Sequence, residues 1–344
     1  MAIIGYPQGG VGPAEKYYKT SRFKIGFPAW KVFMYNYFPD SYESIVGDAW
    51  NMVTEFGYSD RPRSEHLSSI SLVSLQKLLT LYQISPSYRK SAPGWYPRAL
   101  SLTHHSYAID MPSTPPFIPF SERPHQIYIL AKYLRYFYAP SNPAWQDVTF
   151  FSRAAKELSI EFPGFEFVIG ATEDRGPEDQ ARVPAPQPEG IRNLGKMDKA
   201  TFEMNLASSR GMLGIGWPTS SPSPHVGLSY GIPFINPYSL WGWSSFEDKM
   251  SWAQSQQPTL KALEAPYVYH VQRDNYTEFV RAIRAALTTE TPQFRFPFLQ
   301  PSYVEDSINQ WLNTDWEAEA LVVLKDRKNG IEHQTGDKVR VFEM

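Results

Sequence analysis

Short apolar runs and helix-like repeats alternate along the second half of the chain. Between the runs, apolar residues recur every three to four positions, the spacing of helices with one buried face. From residue 126 to residue 287 the order is β-α-β-α-β-β-α-β-α, which predicts a mostly parallel sheet with helices on both faces. The predicted strands are residues 126–131, 165–171, 211–216, 232–237 and 267–271, with a short helix at 259–264 and a loop at 172–192.

Capping residues predict where three of the helices begin. Asn142 followed by Pro143 predicts one start, because proline is favoured in the first helical position. Asp198 predicts a second start, and Asn275 with Glu278 has the spacing of a capping box. We expect the apolar stripes that follow these positions to face the sheet.

The first half of the chain has a less regular pattern. Residues 2–4 predict a strand that leads into a glycine-rich turn, and the aromatic residues of 23–37 are predicted to cover a sheet. Residues 69–82 have helical spacing. Five prolines between residues 111 and 124 predict a domain boundary, because proline interrupts both helices and strands.

The C-terminal segment predicts one helix and one hairpin. Residues 302–312 have the pattern of a helix, which we expect to pack back across the first lobe. Asn329 followed by Gly330 lies between the apolar runs of residues 320–344 and predicts a β-hairpin turn. These patterns divide the chain into residues 1–120, 121–300 and 301–344.

Residues 211–238 place a loop of small residues directly after a buried strand. Trp217-Pro218 ends the strand, since proline has no N–H for a sheet ladder. Residues 219–224 contain three serines, one threonine and two prolines, which offer hydroxyls and backbone N–H groups on a stiff frame. If a helix begins at His225, its positive end favours an anion such as a diphosphate in this loop. A plain connector between buried strands is the alternative interpretation.

Composition excludes several classes of function. The 33 Lys and Arg nearly balance the 35 Asp and Glu, so the net charge of -2 does not indicate nucleic acid as a partner. The absence of cysteine excludes disulfides, thiolate metal sites and cysteine nucleophiles. No apolar run reaches the roughly 18 residues that suggest a membrane span, so we expect the chain as given to be soluble.

One motif matches a hydrolase signature by its letters. Gly227-Leu228-Ser229-Tyr230-Gly231 fits the G-x-S-x-G nucleophile elbow. That elbow needs a strand before the serine and a long helix after it, whereas Pro224 and Pro233 flank this motif. A hydrolase built on Ser229 is therefore an alternative that the flanking prolines disfavour.

A series of short motifs occurs in the order found in a known enzyme family. The motifs are LASSR at 206–210, LGIGWP at 213–218, SPSP at 221–224, GIPFINP at 231–237, APYVYHV at 265–271 and YTEF at 276–279. Residues 189–287, which hold them, resemble the carboxyl half of the family 18 glycosyltransferases, the type that includes α-1,6-mannosylglycoprotein 6-β-N-acetylglucosaminyltransferase. ERPHQ at 122–126 looks like the start of the same lobe in fungal-type relatives.

The resemblance implies an α/β fold of GT-B type, with two Rossmann-like lobes, of which the second has a mostly parallel sheet and the first is incomplete or less well matched. It implies transfer of N-acetylglucosamine from UDP to a glycan or other hydroxyl acceptor, with inversion and without a metal or cofactor. Residues 1–120 would then form the acceptor-side lobe, and residues 121–300 would bind the nucleotide-sugar. The implied donor-binding residues are Gly214, Gly216, Trp217, Pro218, Ser220, Ser221, Ser223, His225 and Asn236, and the candidates for the catalytic base are Glu15, His105 and Asp110.

The chain departs from the family pattern at two positions that matter for the donor. Ser220 and Val226 stand where the family has glutamates, the second of which is typical of ribose contacts in GT-B enzymes. These departures support an alternative, a catalytically inert GT-B relative that binds glycans or a protein partner. Asp315, Glu317 and Glu319 alternate without forming an Asp-x-Asp pair, which predicts a solvated face and no metal site.

The same resemblance bears on where the protein acts. A Golgi enzyme of this type has a membrane anchor and cysteines, and neither is found in this sequence. We therefore expect either a cytoplasmic relative or a Golgi or secretory enzyme that lacks its anchor.

Overall fold

The computed structural model describes most of the second half of the chain and separate parts of the first half. The described residues are 2–5, 28–36, 46, 50–53, 103–104, 109, 117–138, 144–173, 183–216, 221–240, 245–247, 249, 252–253 and 255–330. The chain divides into two compact units. The first unit comprises Met1–His66, Ile84–Ala108 and Pro297–Met344, and the second comprises Leu67–Gln83 and Ile109–Phe296. The predicted helix at residues 69–82 lies outside the described residues.

Ten strands lie within the described part of the chain. In the first unit they are β1 (Ala2–Gly5), β2 (Val32–Asn36), β3 (Asn51–Val53) and β4 (Thr103–His104). In the second unit they are β5 (Gln126–Ile129), β6 (Glu166–Ile169), β7 (Ile191–Asn193), β8 (Gly211–Leu213), β9 (Phe234–Tyr238) and β10 (Val268–Gln272).

The α-helices of the described residues fall into two groups. The second unit contains α1 (Thr149–Glu161), α2 (Lys199–Ala207), α3 (Ser223–Ser229) and α4 (Tyr276–Thr288). The first unit contains α5 (Pro301–Asn313) and α6 (Trp316–Lys328). Short 3-10 helices lie at Ala29–Lys31, Phe120–Glu122, Leu134–Tyr138, Pro258–Ala262 and Pro297–Leu299.

The sheet of the second unit has six strands in the order β10-β9-β8-β5-β6-β7. Every neighbouring pair in it is parallel. A parallel pair needs a crossover connection, and helices supply most of the crossovers here. The predicted α/β class and the mostly parallel sheet of the second lobe are therefore confirmed.

Alternate residues along β5 face opposite layers of helices, as the two-residue repeat of a strand requires. Ile127 and Ile129 belong to the core cluster that contains the apolar faces of α1 and α4. Tyr128 points the other way and packs edge-on against Phe202 of α2, with ring centroids 5.5 Å apart. On that face α3 also contacts β8 and β9. The sheet is thus covered by helices on both sides.

Aromatic rings fill the core between α1, α4 and the sheet. Phe151 of α1 lies 5.7 Å from Phe167 of β6 and 5.9 Å from Phe279 of α4, measured between ring centroids. All three side chains are fully buried. Because such rings bury large apolar areas, this cluster holds the helices on the sheet whose edge carries the candidate site.

The first unit has its own parallel sheet and its own aromatic core. Strands β1, β2, β3 and β4 pair in that order, all of them parallel. Phe33 of β2 packs against Trp50, Trp311 and Trp316. Arg327 of α6 donates a hydrogen bond to the Val46 carbonyl at 3.0 Å. The C-terminal helices therefore share a core with residues near the N-terminus.

Two of the predicted helix starts are confirmed and one is wrong. The Asp198 carboxylate accepts a hydrogen bond from the Thr201 N–H at 2.7 Å, and the Asn275 side chain accepts one from the Glu278 N–H at 3.1 Å. The third helix, α1, begins at Thr149 and not after Asn142. Asp147, which lies five positions after Asn142, accepts hydrogen bonds from the N–H and the hydroxyl of Thr149 and so stabilises this start.

Three further sequence predictions need correction. Residues 191–193, of which the first two belong to the predicted loop at 172–192, form β7, an edge strand too short to show a repeat in sequence. Residues 23–37, predicted to cover a sheet, include β2, which is itself a strand of the sheet. The hairpin at residues 320–344 is wrong, because 316–328 form α6. Its buried residues recur at helical spacing, and Gly330 follows the helix with a φ of +78°, a conformation that favours glycine.

None of the helices in the described ranges has the length and apolar character that crossing a membrane requires.

Replacing Phe167 by alanine should destabilise the second unit strongly. The ring is fully buried against Phe151 and Phe279, so its removal leaves a cavity that costs about 3–5 kcal/mol. Ile160→Ala on α1 is the matched control, because Ile160 is 86% exposed and should change the unfolding free energy by less than about 0.5 kcal/mol. Equilibrium urea unfolding measures both values. Equal decreases of the unfolding free energy in the two variants would contradict the buried position of Phe167.

Candidate functional site

The strand order of the second unit reverses direction between β5 and β8. The chain builds β6 and β7 on one side of β5, and then β8, β9 and β10 on the other. In open parallel sheets, ligands bind in the crevice outside the carboxyl ends of the two strands at such a reversal. Leu130 follows β5 and Gly214 follows β8, so the segment after β8 lies at the crevice. The predicted donor loop begins there.

Gly214 packs too closely for any side chain. A Cβ at this position would lie 2.8 Å from both Phe234 Cζ and Pro237 Cδ, and 2.9 Å from Gln256 Oε1. The Gly214 carbonyl accepts a hydrogen bond from Trp145 Nε1 at 2.9 Å. The backbone after β8 therefore lies against β9, with no side chain of its own between them.

The loop is held on both sides of residues 217–220, which lie outside the described part of the chain. Before them, Gln256 Oε1 accepts hydrogen bonds from the N–H groups of Ile215 and Gly216. After them, the Ser221 N–H donates to the Gln256 carbonyl at 2.9 Å. Gln257 Nε2 donates to the Ser221 carbonyl at 2.8 Å. Gly216 has a φ of +84°, so the chain turns sharply where this loop leaves the strand.

Helix α3 begins at Ser223, two residues before the predicted start. Pro224 has no N–H, and the N–H groups of His225 and Val226 both donate to the Pro222 carbonyl. The expectation that this helix directs free N–H groups at the loop is therefore wrong for these three positions. Ser221 and Ser223 are half-buried and remain hydroxyl groups at the crevice.

His225 lies in the interior. The side chain is 2% exposed, its Nε2 is 3.2 Å from Thr259 Oγ1, and its ring packs edge-on against Phe296. Burial lowers the pKa of His225 from 6.5 to about 3, because a buried imidazolium would lose its hydration. His225 is therefore a neutral core residue that joins α3 to the 3-10 helix Pro258–Ala262.

Asn236 also belongs to a buried polar network. Its Oδ1 accepts a hydrogen bond from Ser255 Oγ at 2.6 Å, and its Nδ2 is 3.1 Å from His270 Nδ1. His270 Nε2 lies 2.8 Å from the Leu263 carbonyl, which can only accept, so Nε2 carries the proton and Nδ1 accepts from Asn236. Burial, followed by the nearby charge of Lys249, lowers the pKa of His270 to about 4. This network joins the middle residues of β9 and β10 to Ser255 and to the Leu263 carbonyl.

From the predicted donor set, Gly214, Gly216 and Ser221 lie around Gln256, and Ser223 begins α3. His225 and Asn236 lie behind them in the core. The remaining predicted site residues lie outside the described residues: Glu15, His105, Asp110, Trp217, Pro218 and Ser220. Within the described ranges, no three His, Asp or Glu side chains are close enough together to hold a metal ion.

Ser229 does not have the surroundings of a hydrolase nucleophile. It is the last residue of α3 and is 1% exposed. Its hydroxyl donates to the Val226 carbonyl one turn earlier at 2.8 Å. A helix, and not a strand, precedes this serine, so the objection to the nucleophile elbow is confirmed.

Sequence reasoning missed the residues that hold the loop, Gln256 and Gln257. Both are fully buried, as is the neighbouring Ser255, which is 3% exposed. In the sequence they form part of a polar and aromatic segment with no periodicity. Three consecutive polar residues of this kind predict an exposed loop, so nothing local indicated their burial.

No protein-family model matches the chain, and the comparison with curated proteins found no match. The solved structure of ADP-heptose LPS heptosyltransferase II from E. coli is 17% identical, with a TM-score of 0.28 over 48% of this chain and 47% of that chain. TarM is 8% identical, with a TM-score of 0.40 over 83% and 54%. UDP-GlcNAc 2-epimerase from Methanocaldococcus jannaschii, in complex with UDP-GlcNAc and UDP, is 10% identical, with a TM-score of 0.33 over 70% and 52%.

The chain thus spans about half the length of these solved structures. Identities and TM-scores this low do not establish a family for the chain.

Gly214→Ala should disrupt the loop, whereas Gly227→Ala should not. A methyl group at 214 meets the side chains of Phe234, Pro237 and Gln256 at distances below 3.0 Å, so these neighbours or the strand end must shift. At 227, within α3, the same methyl group has its first contacts at 3.5 Å and 3.7 Å. Alanine is also the better helix former, by up to about 1 kcal/mol. Thermal unfolding should show a lower midpoint for Gly214→Ala only, and a lower midpoint for both would contradict this difference in space.

His225, which is buried, and His270, which is half-buried, should make the protein less stable in acid. Their pKa values are lowered to about 3 and about 4 in the folded state, against 6.5 when unfolded. Below about pH 6.5 the unfolded protein therefore binds more protons than the folded protein. The contribution of the two histidines to the free energy of unfolding is complete above that pH and is lost as the pH falls towards 4. Urea unfolding between pH 7.5 and 4.5 should show this fall, with a shallower slope in His225→Gln and in His270→Gln. Slopes unchanged from the wild type would refute it.

Proposed function

We propose that this protein is a nucleotide-sugar-dependent glycosyltransferase of GT-B type, related to family 18. The observation that carries the proposal is the position of the loop after β8. It lies at the reversal of strand order in a six-stranded parallel sheet, where such folds bind ligands. The motifs that resemble family 18 surround the same loop, from LASSR at 206–210 to YTEF at 276–279.

The described part of the loop suits close contact with a nucleotide diphosphate. The N–H groups of Gly214 and Gly216 already donate to the Ile235 carbonyl and to Gln256 Oε1, so the described part of the loop offers the half-buried hydroxyls of Ser221 and Ser223. Such groups can stabilise a leaving diphosphate by hydrogen bonds, without a metal cation. We therefore propose a UDP-linked donor, with N-acetylglucosamine as the transferred sugar and a glycan or other hydroxyl compound as the acceptor.

The proposed reaction is a single displacement with inversion. The acceptor oxygen forms a bond to the sugar C1 while the bond from C1 to the diphosphate oxygen breaks. A base takes the proton of the acceptor hydroxyl, and the diphosphate leaves with the bonding electrons. Glu15, His105 and Asp110 are the candidates for the base, all outside the described residues. Neither a metal ion nor a cofactor is part of the proposal.

Isothermal titration with UDP, UDP-N-acetylglucosamine and GDP tests the donor site. We expect the uridine compounds to bind with a Kd between about 1 µM and 1 mM, the usual range for substrates, and GDP to bind more weakly. Gly214→Ala should abolish the binding and Gly227→Ala should retain it. Titration with EDTA present tests metal independence. The absence of heat with every nucleotide would refute the proposal.

Transfer and its stereochemistry need a separate measurement. Proton NMR of the product gives the anomeric configuration, and inversion predicts the configuration opposite to that of the donor. Replacement of the true base, tested as Glu15→Gln, Asp110→Asn and His105→Asn, should abolish transfer while donor binding remains. Retention of the donor configuration would contradict the proposed displacement.

The second candidate is a catalytically inert relative that binds glycans or a protein. Val226 favours it, since this half-buried apolar side chain on α3 stands where the family has a ribose-binding glutamate. Without that carboxylate, hydroxyl recognition of the ribose loses a charged acceptor. Glycan-array binding without nucleotide binding would support this candidate. Measurable transfer by the wild type would exclude it.

A further inference from the structure

Three consecutive polar residues, Ser255, Gln256 and Gln257, form a buried clamp behind the loop after β8. Their side chains are 3%, 0% and 0% exposed. Burial of an amide without hydrogen bonds costs several kcal/mol, so such residues persist where their partners are fixed. The partners of this polar clamp lie around the candidate site.

The Gln256 side chain joins the two strands at the reversal of strand order. Its Oε1 accepts from the N–H groups of Ile215 and Gly216, directly after β8. Its Nε2 donates to the carbonyl of Leu130, directly after β5, at 3.2 Å. One carboxamide thus satisfies backbone groups from both ends of the crevice.

The opposite end of the loop is held by the same clamp. The Ser221 N–H donates to the Gln256 carbonyl at 2.9 Å, and its carbonyl accepts from Gln257 Nε2 at 2.8 Å. Gln257 Oε1 accepts from the Thr259 hydroxyl at 3.0 Å, which orients the amide group. Ser255 Oγ fixes the start of the clamp by its hydrogen bond to Asn236 Oδ1 in β9.

We propose that Gln256 and Gln257 are positioning residues for the nucleotide donor. They hold Gly216 at one end of the loop and Ser221 at the other, and so fix the two described ends of the loop. A loop with fixed ends loses less conformational entropy when a ligand binds. This inference rests on the proposed function, because it takes the ligand of the loop to be a nucleotide.

The clamp also determines which groups can contact the donor. The N–H groups of Ile215 and Gly216 are occupied by Gln256 and are therefore not available to a phosphate. Among the described residues of the loop, the half-buried hydroxyls of Ser221 and Ser223 are the groups that we propose to contact the diphosphate.

Three glutamine-to-methionine variants test the clamp, since methionine has a similar length and cannot form these hydrogen bonds. They are Gln256→Met, Gln257→Met and the matched control Gln293→Met. Gln293 Nε2 donates to the Ser229 carbonyl at 2.8 Å, at the far end of α3, so this control loses a bond of the same kind away from the loop. The measurements are the Kd for UDP and amide hydrogen exchange at Ile215, Gly216 and Ser221.

Gln256→Met should weaken UDP binding roughly tenfold or more, as expected for losing a buried hydrogen-bond partner. Amide exchange at Ile215 and Gly216 should accelerate in the same variant. Gln257→Met should accelerate exchange at Ser221 and raise the Kd by a smaller factor, since it removes one bond to the loop. Gln293→Met should leave the exchange at these three residues and the Kd unchanged.

Unchanged exchange and unchanged Kd in both clamp variants would overturn the inference. If Gln256→Met does not fold, Gln257→Met tests the inference by the exchange at Ser221 and the Kd for UDP, since this variant leaves the side chain of Gln256 in place. If the wild type binds no nucleotide, the proposed function fails and the donor role fails with it. Exchange at Ile215 and Gly216 then still shows whether Gln256 holds the loop, so the two failures are distinguishable.

Discussion

The reversal of strand order between β5 and β8 is the constraint on which the second unit depends. The chain leaves these neighbouring strands in opposite directions, so a crevice opens at their carboxyl ends. Backbone groups there lie beyond the ladder and still need hydrogen-bond partners, because they are buried. Gln256 supplies those partners to Leu130, Ile215 and Gly216. That single side chain therefore links the segments that follow both strands.

Burial decides the chemistry of the other polar residues around this crevice. His225 and His270 lie in surroundings that favour their neutral forms, so they connect elements through hydrogen bonds and carry no charge. Asn236 is satisfied by Ser255 and His270. These side chains act as supports for the strands, and the described residues of the donor loop are small: buried glycines and half-buried serines.

The small size of the loop residues determines which kinds of contact a donor could make in the proposed function. The family that the chain resembles has glutamates at two positions where this chain has Ser220 and Val226. A donor bound here would therefore depend on backbone groups and hydroxyls more than on carboxylates. Such contacts are short and directional, so they require a loop whose ends are held in place. The polar clamp meets that requirement at Gly216 and Ser221.

Much of the fold follows from local pattern. Apolar repeats predicted the strands β5, β6, β8, β9 and β10, and the caps at Asp198 and Asn275 predicted two helix starts, because each depends on neighbours within a few positions. Where two local signals competed, at residues 316–330, the helical spacing of Trp316, Ala320 and Val323 prevailed over the Asn329-Gly330 turn signal. Burial of that stripe against Phe33 and Trp50 explains the outcome.

The sequence by itself determined the α/β class, the parallel sheet and the loop of small residues after β8. Only the tertiary structure decided the strand order, the edge strand β7, and which polar residues are buried. The physical reason is distance along the chain: Gln256 meets Leu130 across 126 positions and Gly216 across 40. A contact between residues so far apart leaves no periodic trace in either segment, so the clamp of the candidate site becomes visible only once the sheet is assembled.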